Sequence, residues 1–87
     1  MYCVWKYKLD SMVQKIHLPV GSKVLSASAR DDDVVIYALV NRDELKKEIR
    51  EFVVQPTGES TLENLNTFMF LSTVVFPSGL VFHIFYK

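Results

Sequence analysis

His17 and His83 are the side chains of this sequence best suited to proton transfer near neutral pH. The C-terminal segment predicts a strand that places His83 on the same side as Val81 and Phe85. No Asp, Glu or Cys stands at a spacing that would complete a catalytic or metal-binding set with it. Two roles stay open for His83: a ligand-binding or catalytic imidazole, or a partly buried structural histidine bonded to backbone or to a tyrosine. The apolar setting favours the second.

The other reactive side chains form no catalytic motif. Asp31, Asp32 and Asp33 lack the glycine and the distal glutamate of a calcium loop, so they predict a hairpin turn. The serines lack a nucleophile elbow, and the lone Cys3 lies on an apolar strand face, where packing is its usual role. We therefore predict that the protein is not an enzyme and uses no metal and no cofactor.

Small polar and aromatic residues favour binding over catalysis. Thr57 and Gly58 lie in a segment whose composition resembles an anion-binding loop, without the glycines and lysine of a P-loop. Trp5 and Tyr7 alternate with lysines, a pattern that can stack single-stranded nucleic acid. Because 10 basic and 10 acidic residues balance, we expect no nucleic-acid binding and interpret these aromatics as core residues. The candidate binding residues are Trp5, Tyr7, Thr57, Gly58 and His83.

Apolar and polar residues alternate along most of the chain, which predicts β-strands. The third strand is expected to place Leu25, Ala27 and Ala29 on one face. The fourth, Val34 to Val40, is apolar on both faces and predicts a central strand. The predicted strands cover residues 3–9, 13–18, 23–30, 34–40, 67–76 and 80–86, and Pro77-Ser78-Gly79 predicts the turn between the last two.

Residues 43–54 fit two structures. Leu45, Ile49, Phe52 and Val53 recur at helical spacing, which predicts a helix of about three turns. The same segment also alternates with a period of two, as a strand does. Periodicity alone slightly favours the helix.

Several short motifs resemble a family of small bacteriophage proteins of unknown function. The motifs are Trp5-Lys6-Tyr7, Tyr37-Ala38-Leu39-Val40, Thr57-Gly58 and Leu80 to Phe85. Their order and spacing match the family over nearly the whole chain. The resemblance implies a short helical turn at residues 43–47 followed by a strand. It also implies a virus-encoded protein in the host cytoplasm, and it supplies no activity.

We predict a single domain, residues 1–87, that is mainly β: a small antiparallel barrel or curled sheet of six to seven strands with at most one short helix. The hydrophobic fraction of 49% is enough for a core and leaves apolar surface for a partner. We expect a homo-oligomer, because such a sheet has edges to cover. No membrane segment and no signal peptide are expected.

The expected function is that of a phage accessory protein that binds a host protein, for instance a component of host defence, and inhibits or redirects it. One alternative is a small-molecule binder that sequesters a nucleotide signal between subunits. Another is a minor virion component.

Overall fold

Seven β-strands and one short 3-10 helix make up the fold. A computed structural model describes all 87 residues. The strands are β1 (Tyr2–Leu9), β2 (Val13–Pro19), β3 (Lys23–Arg30), β4 (Asp33–Asn41), β5 (Lys47–Pro56), β6 (Met69–Val75) and β7 (Val81–Tyr86), and the 3-10 helix is Leu65–Thr67. The predicted mainly β class and the strand count are confirmed. No helix here has the length and apolarity needed to cross a membrane.

The strands form two antiparallel sheets that face each other. One sheet has the order β1-β4-β3 and the other β2-β5-β7-β6. Their facing sides share a core of ten buried residues, which are Leu9, Leu18, Val24, Val34, Ile36, Phe52, Val54, Val74, Phe76 and Ile84. The two sheets do not close into a barrel. Of the two predicted forms, the structure is consistent with the curled sheet and not with the barrel.

The edge strands β3 and β6 approach each other on one side of the molecule, whereas the edge strands β1 and β2 remain open. Ser72 Oγ on β6 donates a hydrogen bond to the Ala27 carbonyl oxygen on β3, at 3.4 Å. The free edges of β1 and β2 therefore lie on the opposite side. As predicted, β4 is central in its sheet. In the other sheet, β7 is enclosed between β5 and β6.

Residues 47–56 are a strand, so the helix favoured by periodicity is wrong. Phe52 and Val54 face the core, while Val53 is buried on the outer face beneath Leu65 and Phe68. Of the four apolar residues at helical spacing, only Phe52 and Val53 are buried, and they lie on opposite faces of the strand, while Ile49 is exposed. Leu45, which would anchor the helix, is 90% exposed. The helical turn implied for residues 43–47 is also absent, and Glu44 N–H instead closes a turn on the Asn41 carbonyl at 3.0 Å.

A bulge changes the predicted face of β3. The pairing of β3 with β4 shifts register between Val24 and Ser26. Val24 therefore faces the core with Ala27 and Ala29, and Leu25 is exposed. The predicted face containing Leu25 is wrong, because an inserted residue breaks the two-residue alternation.

Candidate functional site

His83 lies on the outer face of β7, with a threonine hydroxyl at each ring nitrogen. Thr57 Oγ1 is 2.7 Å from Nε2, and Thr73 Oγ1 is 3.0 Å from Nδ1. Thr73 is directly opposite His83 on β6, and Thr57 directly follows β5. The ring partners are thus hydroxyls, and the expected backbone or tyrosine partner is wrong. A neutral imidazole needs one donor and one acceptor, and hydroxyls supply either.

The turn that follows β5 holds Thr57 in place. Gly58 has φ of +85°, a left-handed conformation that favours glycine. Thr57 N–H donates to the Val81 carbonyl at 3.2 Å. The buried Gln55 donates from Nε2 to the carbonyl of Glu59 at 2.9 Å, and to those of Pro56 and Ser60 at 3.2 and 3.3 Å. The carbonyl groups of this turn therefore point inward, toward the side-chain amide of Gln55. The Thr57 N–H is already bonded to Val81 and is not free to bind a ligand.

Apolar side chains surround this imidazole on the same face of the sheet. Val75 is 62% exposed and sits opposite Val81. Phe70 is 57% exposed, and its ring packs edge-on against Phe85 with centroids 5.6 Å apart. We call this face the His83 surface, and it consists of Thr57, Phe70, Thr73, Val75, Val81 and His83. It presents one imidazole and two hydroxyls among exposed apolar side chains.

An open cleft of about 430 Å³ adjoins the His83 surface at Thr57 and Val81. Its eight lining residues are Met12, Pro56, Thr57, Glu59, Gly79, Leu80, Val81 and Phe82. The only charged side chain among them is Glu59, a carboxylate.

Trp5 and Tyr7 lie on the other sheet. Both are on the inward face of β1, where Tyr7 packs against the main core. Burial raises the pKa of Tyr7, and Cys3 adds to that rise. Trp5 is 38% exposed, with the Lys47 ammonium 5.9 Å from its ring centroid. The fold therefore brings together Thr57, Gly58 and His83 of the five predicted binding residues, and it separates Trp5 and Tyr7 from them.

Sequence reasoning missed Thr73, Val75 and Phe70, although a signal for the first two exists. Thr73 and His83 are equally distant from Ser78, the centre of the predicted Pro77-Ser78-Gly79 turn. Val75 and Val81 are also equally distant from Ser78. In the hairpin, Thr73 lies opposite His83, and Val75 lies opposite Val81. Phe70 breaks this symmetry because the register shifts between Phe70 and Ser72.

The imidazole of His83 and its two threonine hydroxyls can donate and accept hydrogen bonds at this surface. The molecule contains no group of three His, Cys, Asp or Glu side chains placed to hold a metal ion. His83 has hydroxyl neighbours at both nitrogens, and these hold the ring in one orientation on the sheet.

Thr57→Val is expected to lower the free energy of unfolding by less than about 1 kcal/mol, because the two hydrogen bonds that its hydroxyl loses, with His83 Nε2 and with the Val81 carbonyl, are exposed to solvent. Urea denaturation measures this. The ¹⁵N NMR signal of His83 Nε2 should shift while that of Nδ1 changes little. Thr73→Val is the matched control and should show the reverse pattern. A stability loss above about 2 kcal/mol, or equal shifts at both nitrogens, would contradict this geometry.

Comparison with known proteins identifies one family. A family model described as "Domain of unknown function (DUF7352)" matches residues 1–87. No curated protein and no solved structure shows a significant match.

Proposed function

Since the chain belongs along its whole length to the DUF7352 family, a domain of unknown function, we propose its function from the surface that it presents. The protein is a non-enzymatic binding protein whose His83 surface docks on a protein partner. The resemblance to small bacteriophage proteins extends this proposal. In that context it is a phage accessory protein in the host cytoplasm that inhibits or redirects a host protein, for instance a defence component.

The observation that carries the proposal is the exposure of Val75 and Phe70 on either side of a fixed imidazole. Exposed apolar side chains that cluster on one face mark interaction surfaces more often than isolated ones do. The sheet holds their backbone, and two hydroxyls hold the His83 ring. Little conformational entropy is then lost on binding, which favours affinity. His83 supplies a hydrogen-bonding group inside the apolar contact, which favours specificity.

The adjoining cleft supports a protein partner better than a nucleotide. A nucleotide phosphate needs cations or free backbone amides, and the cleft has neither Lys nor Arg in its lining. Glu59 would repel a phosphate there. The nucleotide-signal alternative predicts a thermal shift with cyclic nucleotides, and the virion alternative predicts the protein in purified particles by mass spectrometry.

Binding to a host protein is tested with the purified chain immobilised and host lysate applied. We expect one host protein to be retained in stoichiometric amount. Val75→Lys should weaken its binding at least tenfold, since a charge enters the apolar contact beside His83; tenfold corresponds to about 1.4 kcal/mol. Leu45→Lys is the matched control, because Leu45 is also exposed and apolar but lies away from the His83 surface. This control should bind as the wild type does.

Two results would refute the proposal. One is the absence of any stoichiometric host protein. The other is equal binding by the Val75→Lys and Leu45→Lys variants, which would place the contact elsewhere on the molecule.

A further inference from the structure

The outer edge of β1 carries a row of unpaired backbone groups. Arg42 N–H donates to the Met1 carbonyl at 2.9 Å, in line with the register that places Tyr2 opposite Asn41. Antiparallel ladders alternate, so the odd-numbered residues of β1 bond to β4. The N–H and C=O groups of the even-numbered residues then point away from the sheet. These residues are Tyr2, Val4, Lys6 and Lys8.

The other three sheet edges are less suited to pairing with a second copy. The edges of β3 and β6 approach each other and are joined by the hydrogen bond from the Ser72 hydroxyl to the Ala27 carbonyl. On β2, Val54 N–H donates to the Met12 carbonyl at 2.8 Å, so the odd-numbered residues point outward. One of them, Pro19, has no N–H. A two-fold register in which Val13 pairs with His17 would set Lys15 against its own copy.

We propose that β1 pairs antiparallel with β1 of a second copy of this chain, about a two-fold axis at Trp5. In this register Tyr2 lies opposite Lys8 and Val4 lies opposite Lys6, so all four outward residues are paired and no lysine faces a lysine. Moving the axis to Lys6 would set Lys6 against itself. Moving it to Val4 would leave Lys8 with no strand residue opposite.

The inward side chains support the same register. Trp5 would meet its own copy at the axis, and Cys3 would lie opposite Tyr7. Trp5 points toward the interior and is still 38% exposed, at the side where β1 and β2 have open edges and where the Lys47 ammonium is near its ring. A second copy covers it and adds an aromatic pair. The result is a continuous six-stranded sheet with no exposed edge at β1.

Sedimentation equilibrium on the full chain tests the pairing, with wild type compared to Val4→Glu and Val4→Lys. Val4 is more than half exposed, so both variants should fold alike. We expect the wild type to approach twice the 10.0 kDa chain mass at about 100 μM. Val4→Glu places a carboxylate opposite Lys6, whereas Val4→Lys places like charges opposite each other, in both cases twice by symmetry. The dimer dissociation constant of the lysine variant should be at least about tenfold higher than that of the glutamate variant at low salt.

A disulfide tests the register. The Cα atoms of a non-hydrogen-bonded antiparallel pair are about 4.5 Å apart, within disulfide range. Trp5→Cys in a Cys3→Ser background should therefore form a covalent dimer under mild oxidation. Val4→Cys in the same background is the matched control and should stay mostly uncrosslinked, since its own copy is two residues away along the strand. A monomeric wild type, an equal dissociation constant for both charge variants, or equal crosslinking at residues 4 and 5 would each overturn the proposal.

Discussion

Ile84→Ala is expected to lower the free energy of unfolding by about 3–5 kcal/mol. Ile84 is fully buried on the inner face of the enclosed strand β7, opposite Val54 of β5. Removing three methyl and methylene groups there leaves a cavity between two sheets that are held apart by their other side chains. A domain of this size is stable by about 5–15 kcal/mol, so the variant loses a large share of its stability. Urea denaturation followed by circular dichroism measures the loss.

Two controls separate cavity formation from a general effect on the hairpin. Ile84→Val should cost only about 0.5–1.5 kcal/mol, because it removes a single methylene. Val75→Ala lies in the same hairpin on the exposed face and should stay within about 0.5 kcal/mol of wild type. If Ile84→Ala also stayed within about 1 kcal/mol, the core position of β7 would be wrong.

Arg50→Met is expected to cost about 2–3 kcal/mol, the second-largest effect that we predict. Arg50 donates from Nε to the Lys87 carbonyl at 2.9 Å and from Nη1 to the Ser22 carbonyl at 3.1 Å. Its guanidinium carbon also lies 5.6 Å from the centroid of the Tyr86 ring. One side chain on β5 thus ties down the turn before β3 and the residue after β7. Methionine keeps the length of the stem and removes every donor.

The control for this prediction is Arg50→Lys, which retains the charge near Tyr86. An ammonium cannot reproduce the two divergent hydrogen bonds of the guanidinium, so lysine should recover less than half of the loss. Urea denaturation compares the three proteins. Amide hydrogen exchange should become faster at residues 20–23 in the methionine variant. A methionine variant as stable as wild type would show that these hydrogen bonds contribute no net stability.

The residues expected to stabilise the fold, Ile84 and Arg50, are distinct from those of the His83 surface, which are proposed to bind a protein partner. Ile84 and Arg50 face inward between the sheets, whereas His83 and Val75 face outward on the same four-stranded sheet. Substitutions on the His83 surface therefore leave the core intact. A loss of partner binding in those variants reports on the surface itself rather than on unfolding.

Much of the secondary structure could be predicted, because strand alternation is a local property of the chain. The central position of Val34 to Val40 followed from apolar residues on both faces. The Pro77-Ser78-Gly79 turn predicted the hairpin that carries His83. The helix expected within residues 43–54 failed for a non-local reason: Val53 is buried by Leu65 and Phe68, which come from a later loop. The spacing of apolar residues does not by itself report which of them are buried or what covers them, since Leu45 of the same pattern is exposed.

The candidate site was predictable only in part. Thr57, Gly58 and His83 were selected separately, and their meeting depends on the pairing of β5 with β7 across 26 residues of chain. Trp5 and Tyr7 were selected on equal grounds, and the fold places them on a different sheet. Residue types indicated which side chains can bind, and the order of strands in each sheet determined which of them share a surface.

By itself, the sequence determined a mainly β chain with its turns and with a buried C-terminal strand around His83. These properties depend on neighbouring residues, whose alternation and turn preferences act locally. Only the tertiary structure decided that the strands divide into two sheets, that β1 keeps a free edge, and that two threonines fix the His83 ring. Those outcomes depend on which strand edges meet, and the free energy of that choice comes from contacts between residues far apart in the chain.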